Sequence, residues 1–233
     1  MIYKQIFTIV LITLFQLSFS QISGNAHYYK VSNYKIGGIG VSKNSKEPNK
    51  TIDSSISEID FVIKFNDSLA VYEKLNKDDS FDAIVISHSG YNGPFFYEIK
   101  QKKAVKEQGK YLIEKAFDDY NWVLTDDIMI IDSLVCYKAT STIKIKGRRS
   151  DFTKPVTAWY APEICLPVGP DGFAGLPGII VELKIDKVTT RLKKINFTDK
   201  DVIIELPKNK KRMTETKFDS FIEGLIASGN EKN

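Results

Sequence analysis

The strictest pattern in the chain is an alternation over Tyr137 to Lys146. Tyr137, Ala139, Ser141, Ile143 and Ile145 fall on one side, and Lys138, Thr140, Thr142, Lys144 and Lys146 on the other. A period of two marks a β-strand with one buried and one wet face. Val156 to Tyr160, Ile179 to Ile185 and Val202 to Leu206 obey the same rule, and Gly147-Arg148-Arg149-Ser150 offers a turn between the first two strands. Antiparallel pairing is the natural arrangement. Upstream, Ile59 to Phe65 and Leu69 to Tyr72 flank Asn66-Asp67-Ser68 as a predicted hairpin, and Phe81 to Ser87, Pro94 to Ile99 and Tyr111 to Ala116 are further predicted strands. Ser42 to Ser55, rich in Lys, Asn, Ser and Glu, reads as a loop.

One segment changes period. Phe218, Phe221, Ile222, Leu225 and Ile226 recur at helical spacing, with Thr214 or Thr216 as cap and Gly229 as stop. This predicts a C-terminal amphipathic helix packed on the open face of a sheet. Asp219 and Glu223 on it oppose a role at an anionic membrane surface. No repeat and no long linker divides the chain, so residues 21–233 read as a single β-rich domain.

Residues 1–20 are of another kind. Lys4 is followed by an apolar run from Ile6 to Leu17 and then by Ser18-Phe19-Ser20, with small residues at the −3 and −1 positions before Gln21. That is the form of a secretory signal peptide. The run is shorter than the roughly 20 residues a membrane span needs, so the expectation is an exported protein, periplasmic or extracellular, with no transmembrane segment after cleavage.

Composition adds two exclusions. At 42% hydrophobic and 27% charged the chain is that of a folded protein, and its formal net charge of +4 is far from the basic balance of nucleic-acid binders. Basic residues outnumber acidic ones between Lys184 and Lys217, which reads as a solvated face with a basic turn at Lys208 to Arg212, the alternative being a contact with anionic lipid or polysaccharide. The two cysteines, Cys136 and Cys165, have neither metal-ligand spacing nor a nearby His, so no metal and no cofactor is expected. In an oxidising compartment they could form a disulfide, and a buried free thiol at Cys136 is equally natural.

Candidate chemistry is sparse. The histidines are His27, near the mature N-terminus, and His88 in Ser87-His88-Ser89-Gly90, a weak basis for a catalytic triad. The acidic pairs Asp78-Asp79, Asp118-Asp119 and Asp126-Asp127 read as turns or solvated strand ends, since adjacent strand residues point to opposite faces. The more suggestive set is Arg148, Trp159, Tyr160 and Glu163, able to stack on and hydrogen-bond a sugar or peptide. The competing reading is a core Trp with an Arg–Glu pair that pins the neighbouring loop. Only the first requires an exposed Trp159.

That loop runs Gly169-Pro170-Asp171-Gly172-Phe173-Ala174-Gly175-Leu176-Pro177-Gly178-Ile179-Ile180. Leu176-Pro177-Gly178-Ile179 fits a type II turn feeding a strand at Ile179, and the glycine spacing is neither a dinucleotide fingerprint nor a phosphate loop. The stretch resembles the signature of the GLPGLI family of exported Bacteroidetes proteins, carried here by Gly169, Pro170, Gly175, Leu176, Pro177 and Gly178, with Ile179 in place of the usual Leu. Trp122, Cys136-Tyr137-Lys138-Ala139-Thr140, Gly147-Arg148 and Ala158-Trp159-Tyr160-Ala161-Pro162-Glu163-Ile164 resemble its ordered landmarks. Cys165 stands where the family more often has Pro. A more distant similarity is to the N-terminal domain of type II peptide N-glycosidase F enzymes, which is not itself the hydrolase.

The resemblance implies a mainly β fold in the cell envelope and no assigned activity. A strongly twisted antiparallel sheet or half-open β-barrel with a C-terminal helix suits it, by analogy with periplasmic lipoprotein carriers. The functional expectation is a non-catalytic binding module for a protein, lipid or glycan partner, with no role for nucleic acid. The alternatives are a structural component of an envelope complex or an enzyme of unrecognised type.

Overall fold

The structure, a computed structural model, describes residues 23–32, 59–75, 91, 93–145 and 150–230. Expectations for residues 1–20, Ser42 to Ser55, Phe81 to Ser87, His88, Asp78-Asp79 and the turn at Gly147 to Arg149, with Arg148, lie outside the described residues.

The strands are β1 (Ser23–Ser32), β2 (Ile59–Phe65), β3 (Leu69–Lys74), β4 (Phe95–Glu98), β5 (Lys103–Gln108), β6 (Tyr111–Ala116), β7 (Val123–Ile131), β8 (Leu134–Ile145), β9 (Phe152–Ala161), β10 (Ile179–Ile185), β11 (Val188–Thr198) and β12 (Lys211–Thr214), followed by helix α1 (Glu215–Asn230). Among the described residues they form a twelve-stranded sheet in the order β12-β6-β5-β4-β3-β2-β1-β11-β10-β9-β8-β7. Every neighbouring pair is antiparallel except β12 beside β6, which is parallel. Each half is a run of hairpins, and β1 joins them by pairing with β2 on one side and β11 on the other. The mainly β, antiparallel expectation holds.

Local chemistry explains the tight connections. Between β2 and β3 the Asn66 side-chain oxygen accepts from the backbone N–H groups of Ser68 and Leu69 at 3.0 and 2.8 Å. An Asn side chain that mimics a backbone turn in this way is the reason the residue suits the position.

One predicted strand is corrected. Val202 to Leu206 keeps its alternation of burial, but its backbone belongs to no ladder. It crosses the outer face of the sheet instead. Ile204 and Leu206 cover the cluster of Val71, Phe96, Val105 and Leu112, and the Asn66 amide donates to the Val202 carbonyl at 2.9 Å. Alternation reports which side chains are covered, not what the backbone pairs with.

The opposite face is concave. Side chains of β5 and β6 and side chains of β8 to β11 line the same hollow, so the sheet curls until its halves face each other. The main core lies in this curl, with Tyr28, Phe61, Ile63, Phe65, Tyr72 and Tyr97 fully buried. Fully burying side chains of this size contributes about 1.5–3 kcal/mol each.

The predicted basic turn and helix are also refined. Lys211 opens a strand, and Arg212 is held bidentately by Glu98, at 2.5 and 3.1 Å, while its Nε donates to Glu114. Thr214 caps α1 by accepting from Lys217 N–H at 3.3 Å, and the helix runs past Gly229 to Asn230. Its expected packing is only partly realised. Phe218 is buried and meets Tyr111 edge-on, but Phe221 and Leu225 remain 41% and 53% exposed. Among the described residues no helix is long and apolar enough to cross a membrane.

Burial pushes the Glu114 carboxyl up, but hydrogen bonds from Lys103 and Arg212 outweigh it and hold the group below its ordinary value. A carboxylate with a lowered folded pKa stabilises the fold above its unfolded value, and that stability is lost as pH falls through the folded one. Thermal melts should therefore show the wild type losing more stability than Glu114→Gln between about pH 6 and about pH 3. Equal losses would mean that the charges around Arg212 do not hold β12 in place.

Candidate functional site

The glycine-rich loop is an internal plug. Between β9 and β10 the chain folds back onto the concave face, where Val168 and Ala174 form an antiparallel bridge closed by a turn at Pro170-Asp171-Gly172-Phe173. Asp171 and Gly172 both take positive φ, 54° and 83°, the pattern of a type I′ turn. Only glycine fits at Gly172, because a Cβ there would lie 2.5 Å from the Phe95 ring.

This turn places the Asp171 carboxylate 2.6 Å from the Lys30 ammonium, and the Lys30 side chain is 1% exposed. Hydroxyls and an indole from the surrounding wall complete the attachment. Tyr28 donates to the Ile180 carbonyl at 2.8 Å, Tyr97 to Gly169 at 2.5 Å, Tyr120 to Gly172, and Trp122 Nε1 to Ala174 at 2.9 Å. Gly172 N–H in turn donates to the Tyr97 hydroxyl at 3.1 Å. Burial raises the pKa of Tyr97 and Tyr120 well above that of a free phenol, so both remain donors at neutral pH. The Tyr72 hydroxyl, buried close by, has no hydrogen-bond partner among the described residues.

The exit differs from the expected type II turn. Gly178 N–H donates to the Leu176 carbonyl at 2.8 Å, a tighter three-residue turn around Pro177, because Ile179 N–H is taken by Ile164 at 3.1 Å. A Cβ on Gly178 would collide with the Ala161 carbonyl oxygen.

Beside the plug lies a hollow of about 350 Å³, within the size range of small-molecule sites. Phe95, Ile113, Ile143, Phe173, Leu183 and Ile185 supply apolar wall, and Lys106, Lys115 and Lys154 stand around it with Asp171 and Glu215. Lys115 is neutralised by Glu215 at 3.0 Å, and Lys154 by Asp186 at 3.2 Å. Lys106 makes no ion pair among the described residues; its ammonium lies 5.6 Å from the centroid of the Phe95 ring. Desolvation lowers its pKa from the ordinary lysine value, with Glu215 pulling the other way. The hollow thus offers an apolar wall and, among the described residues, one lysine without an ion pair.

Of the residues singled out in the sequence, Tyr160 and Glu163 border one depression, Trp159 lies on the other face, and Arg148 is outside the described residues. Trp159 is half-buried on the outer face, in a cross-strand row with Lys138 and Glu182, where Glu182 also takes Arg191. Tyr160, its neighbour, points to the concave face and pairs with Tyr137 at 6.1 Å between ring centroids. Glu163 is exposed and borders a shallow depression with Tyr160, Tyr137, Val135 and Pro162. Cys136 is a buried and Cys165 an exposed free thiol, and burial pushes the Cys136 thiol up to about 11. His27 lies on β1, its pKa lowered first by desolvation and then by Lys194. Asp119 caps Ala116 N–H, and Asp127 pairs with Lys138 at 2.7 Å. Among the described residues no cluster of His, Cys, Asp and Glu could hold a metal ion. Lys106 was missed because the Lys103 to Gln108 segment, with charged residues on both faces, carries no strict alternation.

Comparison with known proteins agrees with the signature. Residues 146–182 match the family described as "Protein of unknown function (Porph_ging)", a span that takes in β9, the plug and the start of β10, and the GLPGLI-type resemblance is thereby shown. No curated protein matches the chain. A solved structure of PNGF-II is similar in fold, and a second crystal form of it also aligns with the chain. The C2 crystal form has a TM-score of 0.50 at 9% identity over 86% of this chain, and the P21 form 0.48 at 9% over 85%. The chain spans 32% of the length of each of those structures.

Removing the Asp171 carboxylate takes away the charge that lies 2.6 Å from the buried Lys30 ammonium. Asp171→Asn should cost about 3–5 kcal/mol in urea unfolding, and adding Lys30→Met should recover part of that loss. An Asp171→Asn protein as stable as wild type would show that the pair does not hold the plug.

Proposed function

We propose that this protein, which carries the Porph_ging signature, is an exported, non-catalytic binding module whose concave hollow takes the chain of an anionic amphiphile and pairs its head group with Lys106. One observation carries the reading: an apolar hollow with a half-buried lysine on its wall that has no ion-pair partner among the described residues. Apolar contact gives affinity, and the single cation gives orientation, the usual division of labour in small-molecule sites. The signal-like pattern of residues 1–20 supports export, and mass spectrometry of protein made in an exporting host should find Gln21 as the mature N-terminus.

Dodecanoate and dodecanol make a matched pair of probes. Calorimetry should find dodecanoate the tighter ligand, and Lys106→Met should weaken it by about tenfold or more, the worth of a charged hydrogen bond, while leaving dodecanol unchanged. The pH dependence has a definite sign. The carboxylate pairs with protonated Lys106, so affinity falls as pH rises through the lowered lysine pKa, by about tenfold per pH unit beyond it. Equal affinity for the two probes, or none for either, would sink the reading.

A further inference from the structure

Strand β7 ends the sheet, and among the described residues nothing pairs with its outer side. It is also unusually apolar for a free edge. Leu124, Ile128 and Ile130 are 55%, 59% and 72% exposed, and Val135 on the adjoining β8 is 42% exposed. Register puts these side chains on one face, since Leu124 lies opposite Ala139, Ile128 opposite Tyr137 and Ile130 opposite Val135. Tyr137 carries the patch on to Tyr160. Ile131 and Cys136 turn the other way and are buried.

Native sheets normally blunt an edge of this kind with charges and bulges. Here that protection is local. The ladder slips between Leu124 and Ile128, which confines Asp126 and Asp127 to a bulge and leaves Ile128 to Ile131 as regular strand, paired with β8 on its inner side and, among the described residues, with nothing on its outer side. We propose that this stretch takes up an extended segment of a partner protein as an added strand, one that alternates apolar with basic side chains. Charge decides the partner's chemistry. Asp127 is neutralised by Lys138, but Asp126, Asp132 and Glu163 are exposed around the patch and make no ion pair among the described residues. A second copy of the chain is a poor occupant. Antiparallel self-pairing over Ile128–Ile131 sets the exposed Asp132 of each copy opposite Asp127 of the other, and carboxylates placed opposite one another are destabilising.

Two labelled synthetic peptides test this, one alternating Val with Lys and the other Val with Glu, read by fluorescence anisotropy and by amide hydrogen exchange. The Val/Lys peptide should bind with Kd on the order of micromolar and protect those amides between Ile128 and Ile131 that face away from β8. The Val/Glu peptide should bind at least about tenfold more weakly. Ile130→Lys, at a position exposed enough to leave the fold intact by circular dichroism, should weaken the Val/Lys peptide by about tenfold. Asp126→Lys combined with Asp132→Lys should reverse the preference between the peptides. Equal binding of both peptides, protection elsewhere, or no binding up to about 1 mM would overturn the proposal. Concentration-dependent dimerisation protecting the same amides would overturn it in favour of a second copy.

Discussion

The fold depends on a buried ion pair between β1 and the loop that follows β9. Lys30 and Asp171 are 141 residues apart in sequence and 2.6 Å apart in space. Burying a lysine without a partner is strongly unfavourable, so the conformation that satisfies Lys30 is the one in which the glycine-rich segment turns inward. Tyr97, Tyr120 and Trp122 then donate to the Gly169, Gly172 and Ala174 carbonyls. A loop brought into a core must satisfy its own backbone; Tyr97, Tyr120 and Trp122 do part of that for the loop, and Tyr28 bonds the adjoining β10 at Ile180. The matched family span, 146–182, includes this plug.

The two ends of the sheet are treated differently. At the β12 end a short parallel strand, the Arg212–Glu98–Glu114 cluster and the start of α1 close the edge with charge and a helix turn. At the β7 end only a bulge and two aspartates intervene. Curling without closure leaves a free edge beside the hollow, since a closed barrel would have no terminal strand.

Much of the sheet was legible in the sequence, and the failures have physical causes. β10 begins and ends where alternation places it, and the hairpin at Asn66-Asp67-Ser68 follows from turn chemistry. β1 was not anticipated, because Lys30 occupies a core position and breaks the apolar pattern at the place where the fold needs a charge. Val202 to Leu206 shows the reverse error, alternation without a ladder. Trp159 and Tyr160 could not form one site, since neighbours on a strand face opposite ways, and that objection, applied to the aspartate pairs, applied equally to them. Lys106 was hidden because its importance lies in what does not pair with it, and pairing is set by strands distant in sequence.

The plug and the hollow share residues, and this links stability to occupancy. Asp171, Gly172 and Phe173 are at once the tip of the plug and part of the hollow's wall. The facing wall comes from β5 and β6, in the other half of the sheet. A ligand seated there touches both halves and the loop between them, in an arrangement that exists only when the sheet is curled. Binding that requires the folded arrangement stabilises it in proportion to the logarithm of ligand concentration. Curvature, the glycine-rich loop and the hollow are therefore one device: Lys30 draws the loop in, and the loop sets the shape of the space beside it.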